Sequence, residues 1–410
     1  MDDALRGSAA VAGIGYSRSP DAPTGFSRNS NEAVLTLVVR SVREACLDAG
    51  LQPHEIDGAI TYQINDSALP HDVLCAIGAK EISYELNLGG GGNYSAQVIL
   101  QAAMAVHYGL AKVCLVYRGL NGRSGVRMGQ LSDNRTALGG GSRDSDCVGG
   151  PAQYAQPYGM AGAVAIYALQ ANRWMQRFGL GSEDLAALAV QSRRHAGLNP
   201  RALMRAPLTL ADHQSSRLIV EPYHLFDCCL ETDVACALIV TSAERARSLR
   251  QPPVGIMAGV TGPTQYADLA DTGLKYTGDA LLSRAGISRP DIDVCMFYDN
   301  FSDNPLRMIE DLKLCGPGES PSFVRDGHTT LDGDVAIQTS GGMMNEGYAH
   351  GLNNALELVQ QLRGQAEDTC EGWSDGNHRY ERDVCRQVRD ARVGLHCGST
   401  AKTAIILMRQ

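Results

Sequence analysis

The sequence is short of several things, and each shortage narrows what the chain can be. No apolar run approaches the ~20 residues that a membrane-spanning helix needs; the longest are of the size of Ala161–Leu169. Aromatic residues make up only 6% of the 410, so a pocket would be lined mainly by aliphatic and Met side chains. Basic residues are outnumbered, 36 Lys+Arg against 45 Asp+Glu, for a net charge of −9. Without a basic field to collect phosphates, a nucleic-acid partner is excluded. None of the 12 cysteines forms C-x-x-C, and no His/Cys/Asp spacing matches a zinc or calcium site. No metal is therefore expected on this chain, and the cysteines read as free thiols of a reducing cytosol. The start, Met1–Gly7, has neither a basic n-region nor an apolar h-region, so a cytoplasmic location is expected.

Familiar cofactor and nucleophile motifs are missing too. Val11-Ala12-Gly13-Ile14-Gly15-Tyr16-Ser17-Arg18 looks like a strand running into a dinucleotide turn, but Arg18 stands where the third glycine belongs. Gly89–Gly92 fails in the same way at Tyr94. No G-x-S-x-G nucleophile elbow occurs. The adjacent Cys228 and Cys229 read as buried small apolar residues sooner than as nucleophiles.

What remains is an ordinary globular composition, 44% hydrophobic and 20% charged, long enough for two medium domains. The chain repeats itself. Ala49-Gly50-Leu51-Gln52-Pro53-His54-Glu55-Ile56-Asp57 returns as Ala285-Gly286-Ile287-Ser288-Arg289-Pro290-Asp291-Ile292-Asp293, and each runs into an apolar strand, Gly58–Tyr62 and Val294–Tyr298. Ala111–Val116 returns as Ala391–His396. Between these lie glycine clusters that open helices, Gly89–Gly92 before 93–108 and Gly341-Gly342 before 345–362. Helix, strand, glycine turn, helix, strand thus occurs twice, which predicts an α/β fold of two similar layered domains. We place them at 1–249, with a loop insert at about 120–181, and at 250–410, with a polar excursion at 367–389.

In open α/β sheets, ligands gather beyond strand C-termini and at helix N-termini. That rule singles out Tyr298-Asp299-Asn300-Phe301, the run Gly341-Gly342 to Asn345-Glu346 with Tyr348 and His350, and the strand end at His396-Cys397. Taken alone, Tyr298 reads as a hydrogen-bonded core phenol and His350 as a helix-face histidine.

The pattern resembles the thiolase superfamily over essentially the full chain. The Gly341-Gly342 turn falls at the thiolase G-G-x-x-x-x-G-H-P signature, and Tyr298-Asp299-Asn300-Phe301 at its N-(D/E)-x-F segment. More closely, Tyr117-Arg118, Arg123-Ser124-Gly125, Asp212-His213-Gln214, Asp227-Cys228-Cys229, Tyr298-Asp299 and Gly341-Gly342 are similar to lipid-transfer-protein-like aldolases that shorten steroid side chains. The departures matter. The first glycine turn reads Gly91-Gly92-Asn93-Tyr94-Ser95-Ala96, without a nucleophilic cysteine; Tyr348 replaces the G-H-P histidine; Tyr298 replaces the asparagine; His396 stands near the C-terminal acid/base cysteine, with Cys397 one residue off.

The resemblance implies a thiolase fold in a layered αβαβα arrangement and a retro-aldol lyase acting on a β-hydroxyacyl-CoA, with Tyr298 and Tyr348 as the acid/base pair. Asp299, Glu346, His350 and His396 are candidate tuners or relays. Arg118, Arg123 and Arg127, with Gly341, Gly342 and Asn345, are the expected substrate-binding set. The low aromatic content suits a sterol. The resemblance further implies no cofactor on this chain, coenzyme A as part of the substrate, a homodimer, and a small zinc-ribbon/OB-fold partner in an α2β2 complex. Two other readings stand beside it: a thiolytic or bond-forming enzyme using an unorthodox cysteine, and a non-catalytic acyl-CoA-binding subunit.

Overall fold

The computed structural model describes residues 5–125, 156–158, 162–263, 266–366 and 385–410. Arg127 and much of the expected insert and polar excursion lie outside these. Twelve strands are described: β1 Ala9–Tyr16, β2 Gly58–Gln63, β3 Tyr84–Gly89, β4 Val113–Asn121, β5 Leu218–Val220, β6 Tyr223–His224, β7 Asp233–Ser242, β8 Val254–Thr261, β9 Val294–Met296, β10 Ala336–Ile337, β11 Val393–Cys397 and β12 Thr403–Arg409. β5 and β6 form a small ribbon, and the other ten form one mixed sheet in the order β10-β9-β11-β12-β8-β1-β7-β4-β2-β3. Read outward from the β1·β8 junction, both halves have the same order, each strand matched by its repeat.

The helices supply the other layers. Helix Gln97–His107 packs on β1, β2, β4 and β7 but also on β8 and β12; helix Leu352–Arg363 packs on β8, β9, β11 and β12 but also on β1 and β7. These two are therefore the middle layer. Helix Val34–Ala49 covers β1, β4 and β7 from outside, and helix Gly273–Ala285 covers β8 and β12. Because β1, β4 and β7 are covered on both faces, they are apolar on both. In β4, Cys114 and Val116 face the central core while Val113, Leu115 and Tyr117 face the outer one. Gly13 and Gly15, which suggested a dinucleotide turn, instead let helix Val34–Ala49 lie on β1. A Cβ at either would stand 2.3 Å from the carbonyl oxygen of Ala45 or Ser41.

The repeated Ile-Asp is a structural device. Asp57 accepts the backbone N–H groups of Lys112 and Val113 at 2.8–3.0 Å. Asp293 accepts those of Arg392 and Val393 at 2.7 and 2.8 Å. Each carboxylate starts the strand of its own half that runs beside it. The free-thiol expectation needs one correction. Nine cysteines among the described residues are free, but Cys385 is disulfide-bonded; the sequence spacing could not reveal a pairing that only the fold creates.

Two expected boundaries also move. β9 ends at Met296, and the ladder gives way to side-chain bonds: Gln338 Oε1 accepts Phe297 N–H at 2.8 Å and Asn354 Nδ2 donates to the Phe297 carbonyl at 2.7 Å. The helix expected over 345–362 is broken, with a short turn at Gly342–Asn345 and the helix proper at Leu352–Arg363. Gly347, His350 and Gly351 have φ of 158°, 54° and 90°, so the intervening loop cannot be helical. Asn353 holds it by donating to the Gly347 carbonyl at 3.1 Å and accepting Ala349 N–H at 3.2 Å.

Asp57→Ala and Asp293→Ala are each expected to lower stability by about 2 kcal/mol in denaturant unfolding, since each strands two backbone donors. The more buried Asp57 should cost more. A loss of only a few tenths at both would contradict this role.

Candidate active site

The non-helical loop and the β9 strand end bring two phenols together. Tyr298 Oη and Tyr348 Oη lie 3.0 Å apart, and either can donate. Both are almost wholly buried, at 2% and 4% exposure. Burial raises both well above the ordinary phenol range. For Tyr298 the neighbouring Tyr348 adds to the rise; for Tyr348 the Cys229 thiol adds to it, while the bond from Tyr298 and the charge of Arg118 oppose it. No neighbouring charge overcomes burial, so neither phenol is a standing phenolate at neutral pH.

The first-half glycine turn closes on this pair. A Cβ on Gly92 would stand 2.1 Å from Tyr298 Oη, and one on Gly91 would stand 3.2 Å from His350 Nε2. A Cβ on Gly351 would touch both the Tyr298 ring at 2.8 Å and Ser95 Oγ at 3.1 Å. The His350 and Tyr348 rings are 5.1 Å apart, centre to centre. His350 Nδ1 accepts from Arg118, and its carbonyl accepts Tyr62 O–H at 2.8 Å. Burial, reinforced by Arg118, pushes His350 down to about 3.

His396 is bound to Met296 and Ser95. Nδ1 donates to the Met296 carbonyl at 2.9 Å, so Nε2 accepts Ser95 O–H at 3.0 Å. Burial lowers His396 to about 4. Cys397 points the other way, into the core, as strand alternation requires.

The remaining candidates are supports. Asp299 accepts the N–H groups of Met343 and Met344 at 3.1 and 3.3 Å and Asn354 Nδ2 at 3.0 Å, and burial raises it. It also lies against Gly342, where a Cβ would stand 2.0 Å from Oδ2, while Gly341 lies against Ala196. Asn345 accepts Arg193 Nε at 2.5 Å and donates to the Gly341 carbonyl at 3.1 Å. Glu346 accepts from Asn199, Arg201 and Asn353 at 3.1–3.3 Å, and Arg201 continues to Glu357, itself paired with Arg386. Burial raises Glu346.

Of the expected basic cluster, Arg127 lies outside the described residues, and the two described members stand apart in their surroundings. Arg118 is fully buried and bonded to Asp66, the Gly119 carbonyl and His350. Arg123 is 43% exposed, 4.0 Å from Glu231. The β4 strand explains this: Arg118 is an inward position of a strand covered on both faces.

Several neighbours of the site were missed. Ser95 occupies the turn noted only for lacking a cysteine. Tyr62, next to last in β2, stands at the repeat position of Tyr298, a correspondence visible when the two segments are aligned. Tyr167, from helix Gly162–Phe178, bonds Ser399 and lies 5.2 Å from Phe301. Cys229, beside both phenols, is pushed well above the ordinary thiol range by burial. Its turn is held by Asp227, which accepts His213 Nε2 at 2.8 Å and Ser302 O–H at 2.6 Å. Among the described residues, no group of three or more His, Cys, Asp or Glu could hold a metal, and no helix is long and apolar enough to cross a membrane.

This architecture, two βαβ repeats with a central helical layer and a site at their glycine turns, is the thiolase fold. Residues 261–372 match the family model described as "Thiolase C-terminal domain-like". The chain is 37% identical over 381 residues to the 17-hydroxy-3-oxo-4-pregnene-20-carboxyl-CoA lyase of Mycobacterium tuberculosis, covering 90% of this chain and 95% of that one. It is 38% identical over 373 residues to the steroid side-chain-cleaving aldolase of Thermomonospora curvata, covering 88% and 91%. The solved "Ltp2-ChsH2(DUF35) aldolase" superposes with a TM-score of 0.84 at 32% identity over 99% of both chains. The chain belongs to the steroid side-chain-cleaving aldolases, lyases that act on acyl-CoA thioesters.

Gly92→Ala is expected to leave the chain folded but cut turnover at least ~100-fold, because displacing Tyr298 by about an ångström breaks the pair's alignment. Wild-type turnover in that variant would show that the contact is not needed.

Proposed function

We propose that the chain cleaves a β-hydroxyacyl-CoA by a retro-aldol reaction in which the two phenols pass one proton, with no covalent acyl-enzyme. The observation that carries this reading is the 3.0 Å bond between Tyr298 and Tyr348. The substrate's hydroxyl proton enters the pair, the Cα–Cβ bond breaks, the carbinol carbon becomes a ketone, and the bonding electrons pass into the thioester enolate. In the same step the pair gives up another of its protons to Cα, so that neither phenol is ever doubly protonated, giving a shorter acyl-CoA. Atoms balance without water, oxidant or metal. Because either oxygen can donate, the pair can carry the proton in either direction. Neither phenol need exist as a free phenolate, which agrees with burial raising both.

Asp299, Glu346 and Asn345 act as supports of the second-half turn, and His396 as a support of Ser95. Asp299 occupies the amides of Met343 and Met344, so the enolate oxygen is better received at the first-half turn, where Tyr298 and His350 both press against glycine. The unorthodox-cysteine reading loses ground, because burial keeps the Cys229 thiol protonated.

We propose a carboxylated steroid side chain as its CoA thioester for the substrate, on the names of the relatives. We also propose a small zinc-ribbon/OB-fold partner in an α2β2 complex; the DUF35 component in the name of the superposed aldolase supports a partner protein of that kind. Coenzyme A phosphates would then be met largely outside the buried Arg118, by Arg123, by Arg127, or by the partner. The homodimer reading is supported by β3, a sheet-edge strand whose residues alternate between half-buried and exposed. We divide the chain at 249/250 because the strand order repeats across that point.

Tyr298→Phe and Tyr348→Phe are each expected to lower kcat by about 10³-fold, measured by mass spectrometry of ketone and acyl-CoA products with the partner present. Wild-type turnover in either variant overturns the pair. The pH profile of kcat should be flat between about pH 6 and 9, since burial keeps both phenols protonated above that range and His350 neutral throughout it. A tenfold rise per pH unit would instead indicate a phenolate base.

A further inference from the structure

His350 is held more firmly than a hydrogen-bonding neighbour of the site needs to be. Its backbone sits at φ 54°, its carbonyl is bound by Tyr62 O–H at 2.8 Å, and its ring Nδ1 faces Arg118 Nη2 at 2.7 Å and Nε at 3.2 Å. A guanidinium has five donors, no acceptor, and does not lose its charge. Nδ1 must therefore accept, and the ring proton resides on Nε2. Arg118 is itself fixed, by Asp66 Oδ2 at 2.5 Å and the Gly119 carbonyl at 2.5 Å. The free ring nitrogen is presented at the Gly91-Gly92 turn, the same turn that receives Tyr298 Oη.

We propose that Asp66 and Arg118 are a positioning pair that locks His350 into its Nε2–H tautomer, so that His350 serves the reaction as a fixed hydrogen-bond donor to the thioester oxygen and not as an acid or a base. The receiving atom rests on the lyase reading; the lock itself does not. A neutral imidazole held as a donor is suited to an enolate oxygen, because it stabilises the developing charge without giving up its proton. The charged and titratable groups that face His350 are Arg118, Asp66 behind it, and the phenols of Tyr62 and Tyr348. Burial first, then Arg118, disfavour imidazolium, and Asp66 only partly opposes them. Arg118, which the sequence placed among coenzyme A ligands, is thereby given a different task.

The test begins with the complete protein labelled with ¹⁵N-histidine, its His350 signal assigned by comparison with His350→Gln. Two-bond ¹H–¹⁵N correlations are expected to show the Nε2–H pattern, unchanged between about pH 5 and 8, where a free histidine titrates. An Nδ1–H pattern, or titration in that range, overturns the lock whatever the enzyme turns over. Kinetics with the partner present then test the donor role. His350→Ala should lower kcat by about 100-fold or more with KM little changed, whereas His350→Gln, whose amide N–H reaches about as far as Nε2–H, should retain most of the activity. Arg118→Met should lower kcat about as much as His350→Ala but add nothing in the His350→Gln background, a non-additivity expected only if Arg118 acts through the imidazole. Equal losses in both backgrounds would reduce Arg118 to a structural part and overturn the proposal. If Arg118→Met does not fold, Asp66→Asn, at a position 27% exposed, replaces it in the same cycle. No cleavage of any acyl-CoA by the wild type would fail the lyase reading, and the spectra would still decide the lock.

Discussion

Everything in the site depends on how closely two glycine turns and one strand end approach each other. Tyr298 Oη occupies the space where a side chain at residue 92 would begin, and Gly351 leaves room for the Tyr298 ring and Ser95 together. This contact joins the first half to the second and leaves both phenols almost wholly buried. A buried phenol needs a hydrogen-bond partner, and each of the two satisfies the other. The buried carboxylates around them serve the same end: Asp299 ties down the Gly342 turn, and the Glu346–Arg201–Glu357 network stands behind it.

The chemistry follows from what burial does to each group. A thiolase-fold site built around a low-pKa cysteine would need a cation or an open helix N-terminus at the sulfur. Here the nearby thiol, Cys229, and both phenols are pushed up, and both site histidines are pushed down. The phenols, the thiol and both imidazoles are thus kept neutral near pH 7, beside the Arg118–Asp66 pair. A site of neutral donors and acceptors suits passing a proton within one substrate. It does not suit holding a charged nucleophile.

Much of this was legible in the sequence. The repeat could be read because the same physical task recurs: Asp57 and Asp293 each cap a neighbouring strand, and that task requires an aspartate at that place. Tyr298 and Tyr348 stood out because they replace residues of a known pattern at strand and loop ends. The break of the helix at 346–351 was not legible, because the left-handed His350 within it is held through its carbonyl by Tyr62, a contact distant in sequence. Arg118 was misread for a simpler reason. An arginine beside a polar insert usually meets solvent, and only the double coverage of β4 turns it inward onto Asp66 and His350. A lone serine in the first-half turn carries no sequence signal; only the fold sets Ser95 against His396.

The central claim is that one proton travels through two phenols within a single step. A proton inventory tests it most directly: kcat of the wild-type complex measured across mixtures of H2O and D2O under conditions where carbon–carbon cleavage limits the rate. Two phenolic protons in flight together predict a downward-curved dependence on deuterium fraction. A linear dependence, the mark of a single moving proton, would contradict the relay and leave one tyrosine acting alone.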